Sequence, residues 1–62
     1  MHSNKLKKIR QDKGYIQLDL TLKTGIHQSK ISNFERGYLK PNKDERKRLA
    51  KALGVKAEDL FK

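Results

Sequence analysis

Apolar residues recur along the chain at spacings of three and four and never alternate over a useful length, a pattern that predicts helices throughout. Leu6, Ile9, Arg10 and Lys13 fall at i, i+3, i+4 and i+7, one face of a first helix over residues 4–13. Arg10 therefore lies on or beside the stripe that turns inward. Leu20, Ile26, Ile31 and Phe34 mark a second helix over 17–24 and a third over 28–36, separated only by Gly25, Ile26 and His27. A helix, a three-residue turn with glycine and a second helix form one unit over residues 17–36. The fourth helix follows Pro41: Asn42 stands three residues ahead of Glu45 in capping-box fashion, and Leu49, Ala50, Ala52 and Leu53 continue the pattern. A short fifth helix over 57–61 returns Leu60 and Phe61 to the core. Gly14, Gly25, Gly37 and Gly54 stand where the four longer helices should stop. The expected architecture is all-α, a compact five-helix bundle in a single domain spanning residues 1–62.

Helical phase separates the two sides of the third helix. Ile31 and Phe34 face inward, and Gln28, Ser29, Ser32, Asn33 and Arg36 share the opposite side, which carries no carboxylate. Such a face suits the major groove of double-stranded DNA, because Gln and Asn amides pair with adenine N6 and N7 and Ser can give or take a hydrogen bond. The same residues would also serve simply to solvate a surface helix. The one acid of this helix, Glu35, has the phase of Ile31, so it is expected to pair with Arg10 across the first and third helices.

Charge turns the balance toward DNA. The 62 residues hold 16 Lys plus Arg against 7 Asp plus Glu, a formal net charge of +9. An excess of that size calls for an anionic partner. Leu, Ile, Val and Phe number 15 of 62, enough for a minimal core, above the roughly 20% below which chains stay disordered. The absence of Cys leaves helix packing and self-association as the sources of stability, and removes thiolate metal sites and thiol chemistry. Lys40 and Lys43 flank the turn after the third helix and are expected on phosphates. Lys30 and Arg36 stand at the edge of the groove face and are expected there too. His27 is either a helix cap or a phosphate contact. A metal role is disfavoured, since His2 is the one other His and no Cys or suitably spaced carboxylate accompanies it.

The set Lys8-Ile9-Arg10, Gln17, Leu20, Gly25-Ile26, Gln28-Ser29, Ile31-Ser32, Phe34-Glu35-Arg36-Gly37, Pro41 and Leu49-Ala50-Lys51-Ala52-Leu53-Gly54-Val55 resembles the Cro and phage-repressor type helix-turn-helix family, the XRE family. The resemblance covers nearly the whole chain. It implies a lambda-repressor-like five-helix DNA-binding domain whose third helix enters the major groove, usually as a homodimer on a two-fold operator. It further implies that Gln17 touches a phosphate and braces Gln28, that Gln28, Ser29 and Asn33 read bases, and that Arg10 and Glu35 form the family's interhelical bridge. Thr21 stands where that family has a small Ala, Thr24 where it mostly has Leu, and His27 where a Ser or Thr caps the recognition helix. Ile16 replaces the usual Thr or Ser cap and is read as a packing residue. The unpaired N–H groups it leaves would meet a phosphate or water. Val55, Leu60 and Phe61 are dimer-interface candidates that serve equally well as core.

Other classes fare poorly. The sequence shows no Ser-His-Asp set, no paired carboxylates in an apolar setting and no phosphate-cradling Gly loop, so no enzyme, cofactor or small-molecule ligand is expected. No apolar run approaches the roughly 18 residues that span a bilayer, and residues 1–13 lack a signal-peptide core, which points to the cytoplasm. A membrane-surface role lacks Trp, and RNA binding lacks an aromatic platform. The reading is a small transcriptional regulator, a repressor. The runner-up is an antitoxin-like protein-interaction module that binds DNA secondarily.

Overall fold

A computed structural model describes residues 4–61; residues 1–3, His2 among them, and residue 62 lie outside the described residues. Five α-helices follow in chain order: α1 (Leu6–Asp12), α2 (Gln17–Thr24), α3 (Gln28–Arg36), α4 (Lys43–Leu53) and α5 (Ala57–Leu60). No strand occurs among the described residues. Every helix sends at least one side chain to one cluster of Leu6, Leu20, Ile26, Ile31, Phe34, Leu49, Ala50, Leu53 and Leu60. Phe34 at its centre is wholly buried. A side chain of that size contributes about 3 kcal/mol by leaving water. The radius of gyration, 10.0 Å, is close to the roughly 11 Å expected of a compact chain of this length.

The helix ends follow from local chemistry, with differences at both ends of α1. That helix begins at Leu6 after Lys5 at the N-cap position, and the side chain of the preceding residue holds its first N–H: Asn4 Oδ1 accepts from the Leu6 N–H at 3.0 Å. It ends at Asp12, and Lys13 is exposed, so the inward stripe stops at Arg10. Asn42 and Glu45 form the reciprocal box at the start of α4, with Glu45 N–H to Asn42 Oδ1 at 2.8 Å and Asn42 N–H to Glu45 Oε1 at 2.9 Å. Gly25 and Gly37 bound the segment that holds α3 with φ of +74° and +78°, angles at which a Cβ would be strained. The short α5 stops at Leu60, one residue before Phe61. The Leu60 carbonyl accepts from the Lys5 N–H at 2.9 Å, which closes the two ends of the bundle on each other.

Two departures from the pattern that the sequence resembles have opposite consequences. Thr24 is buried where Leu is common, and its hydroxyl is fully used: Oγ1 donates to the Leu20 carbonyl at 2.6 Å and accepts from the Ile26 N–H at 3.1 Å. It thereby holds the turn between α2 and α3. Thr21, where Ala is usual, buries an Oγ1 that has no hydrogen-bond partner among the described residues. Ile16 is not a packing residue. It is 61% exposed: its extended backbone, φ −91° and ψ 168°, sets it outside the helical phase that turns Leu20 and Thr24 inward, and it caps the helix through main chain alone, its N–H reaching Asp19 Oδ2 at 2.8 Å.

Candidate nucleic-acid interface

The outward face of α3 is held in place from several sides. Inward, Ile31 and Phe34 anchor it in the core. At its side, Arg10 Nε donates to Glu35 Oε2 at 2.6 Å and Arg10 Nη2 to Glu35 Oε1 at 3.2 Å, a two-pronged pair whose side chains are 8% and 3% exposed. Arg10 Nη1 also donates to the Tyr15 carbonyl at 2.7 Å, and Gln17 Nε2 to Glu35 Oε1 at 3.0 Å. The buried guanidinium thus joins α1, the α1–α2 loop and α3, and the carboxylate adds the start of α2. At the far end of α3, Asn4 Nδ2 donates to the Phe34 carbonyl at 2.7 Å.

The side chains left facing solvent are polar. Gln28, Ser29 and Arg36 are exposed, and Ser32 and Asn33 are half-buried beside them. Glu35 is neutralised by Arg10, so no free carboxylate of α3 competes with a phosphate. Lys40 and Lys43 are exposed and make no ion pair among the described residues. A nine-residue helix is about 13 Å long and about 10–12 Å across with side chains, which matches the roughly 12 Å width of the B-DNA major groove.

Several expected contacts are arranged differently. Lys30 is not a free cation: its Nζ lies 2.6 Å from Glu45 Oε2, tying α3 to α4. First the Lys30 ammonium and then the Asn42 backbone hydrogen bond hold the Glu45 carboxyl below its usual value of 4.5. Gln17 engages Glu35, and no hydrogen bond joins it to Gln28 among the described residues. The second Nε2 hydrogen of Gln17 has no partner among the described residues. His27 is the cap of α3, its Nδ1 accepting from the Ser29 N–H at 3.1 Å. Leu60 is wholly buried and serves the core, whereas Val55 and Phe61 are half-buried against it. The Asn4 clamp and the Lys30–Glu45 pair were not foreseen. An Asn just ahead of a helical pattern is a readable cap signal, but nothing local links Lys30 to a residue fifteen positions away.

A cationic helical bundle that presents an acid-free polar helix after a glycine turn is a helix-turn-helix DNA-binding domain. A helix-turn-helix family profile matches residues 6–60, and the chain belongs to that family, in its Cro and repressor type. This is a family of DNA-binding regulators, not of enzymes. No curated protein and no solved structure matches the chain. Among the described residues no cluster of His, Cys, Asp or Glu could hold a metal ion, and no helix is long and apolar enough to cross a membrane.

Proposed function

We propose that this DNA-binding regulator is a repressor that acts as a homodimer on a palindromic operator, α3 of each copy lying in the major groove. The observation that carries the reading is the α3 face itself: Gln28, Ser29, Ser32 and Asn33 turned outward, without an acid, on a helix locked to three other elements. These four residues read bases. Gln17, His27, Arg36, Lys40 and Lys43 meet phosphates, together with the N–H groups at the start of α2, for which Ile16 supplies no side-chain acceptor. Lys30 is left out because Glu45 holds it. Of the interface candidates Val55 and Phe61 remain, Leu60 being spent on the core. The protein-interaction reading draws on one observation, Leu18 and Leu22 exposed by 47% and 77% on α2.

Selection from a random duplex pool at physiological salt, followed by titration of the winner and of scrambled DNA, tests the proposal. A palindromic winner bound about a thousandfold more tightly than scrambled duplex is expected. Gln28→Ala should weaken the operator by about 1–3 kcal/mol at one base position and leave scrambled DNA unchanged. Equal, steeply salt-dependent affinity for every duplex would sink the operator-binding reading and redirect the search to a protein partner.

A further inference from the structure

The first turn of the recognition helix contains a hydrogen-bond arrangement with a consequence for base choice. His27 Nδ1 lies 3.1 Å from the Ser29 backbone nitrogen and 2.8 Å from Ser29 Oγ. The backbone N–H can only donate, so Nδ1 must be the unprotonated acceptor nitrogen and the imidazole proton must sit on Nε2. With no hydrogen on Nδ1, the 2.8 Å contact to Oγ requires the serine hydroxyl to be the donor. A serine hydroxyl has one hydrogen. Once that hydrogen points at His27, the groove side of Ser29 offers lone pairs alone.

From this we infer that His27 sets the hydrogen-bonding polarity of Ser29 and makes it an acceptor that reads an exocyclic amine. In the major groove the donors are adenine N6 and cytosine N4, whereas guanine and thymine present acceptors. A free serine would tolerate either kind of edge; a serine locked by His27 takes A or C on the contacted strand and rejects G or T, whose keto oxygens face its own lone pairs. The usual Ser or Thr cap of the family, which His27 replaces, has no imidazole nitrogen to impose this. His27 acts here as a positioning residue, and its outward Nε2–H is left to donate to a phosphate. The inference rests on the proposal that the α3 face reads bases.

The test takes the selected operator, locates the position whose preference Ser29→Ala flattens, and measures all four base pairs there, along with an analogue of the preferred base lacking its exocyclic amine. Wild-type protein should prefer A or C over G or T by roughly fivefold, the worth of one neutral hydrogen bond, and lose the same factor on the analogue. His27→Gly keeps a tolerated cap residue but removes the acceptor, so the discrimination between amino and keto bases should fall to near parity. In the free protein, imidazole ¹⁵N shifts should show the Nε2–H tautomer of His27. A preference for G or T at that position, an amine preference that survives His27→Gly, or an Nδ1–H tautomer would each overturn the inference. If Ser29→Ala flattens no position while Gln28→Ala still does, this inference fails and the base-reading proposal stands; if neither does, the proposal itself fails.

Discussion

Replacing Arg10 with alanine tests the joint that orients the recognition helix. The substitution removes two hydrogen bonds to Glu35, at 2.6 and 3.2 Å, and one to the Tyr15 carbonyl at 2.7 Å. It leaves a carboxylate whose side chain is 3% exposed with the Gln17 amide as its one remaining partner among the described residues. Removing one member of a buried ion pair costs about 3–5 kcal/mol, because the other charge stays buried without compensation. At roughly 0.05–0.15 kcal/mol per residue, the whole chain is worth only about 3–9 kcal/mol. Arg10→Ala should therefore stand at the edge of unfolding at room temperature. In urea, with a slope of about 1 kcal/mol per M for a small protein, the midpoint of the far-ultraviolet circular dichroism transition should move down by about 3–5 M. Adding Glu35→Gln removes the stranded charge and should recover at least about 1 kcal/mol of the loss, a coupling that only directly interacting residues show. A midpoint shift below about 1 M for Arg10→Ala, or no recovery in the double variant, would refute the view that this pair governs the fold.

Thr21→Ala should stabilise the protein by about 1 kcal/mol or more, since it deletes a buried hydroxyl without a partner and places a better helix former within α2; a lower urea midpoint would contradict this. Lys40→Ala should weaken operator and scrambled DNA alike and reduce the slope of log K against log salt by about one, measured by fluorescence anisotropy at several ionic strengths. Acid should act through Glu45: its folded value lies below 4.5, so its contribution is full above about pH 4.5 and is lost as pH falls through the folded value. The stability advantage of wild type over Glu45→Gln should accordingly be constant near neutrality and shrink below pH 4.5, and an advantage that persisted unchanged into acid would count against the Lys30–Glu45 pair.

The Arg10–Glu35 and Lys30–Glu45 pairs mark the boundary between what is legible in the sequence and what is not. Helix positions are written locally: a glycine at 25, 37 and 54 terminates each of three helices through a backbone angle that other residues resist, and the Asn42–Glu45 box opens α4 within three residues of chain. The periodicity of Ile31 and Phe34 likewise settles which side of α3 is buried, and so which polar residues are left outside. Phase alone also turns Arg10 and Glu35 inward. Whether two inward charges meet depends on how helices pack, and the two-pronged geometry, with Gln17 and Tyr15 drawn into the same network, belongs to the tertiary structure.

The same distinction accounts for the residues that turned out differently. Lys30 carries a charge that any phosphate would attract, but its nearest counterion is an acid fifteen residues later, brought close when α4 folds back. Ile16 is apolar, and apolarity alone argues for burial; its exposure follows from the direction in which α2 leaves the loop. Leu60 could have faced a partner or the core until α5 closed against α1 through Lys5. Sequence by itself determined the five helices, the glycine-terminated and capping-box ends, the buried stripe of α3 and the positive charge, because each depends on spacing within a few residues or on composition. Tertiary structure decided which charges are spent internally and which remain for DNA, because that depends on distances between residues far apart in the chain.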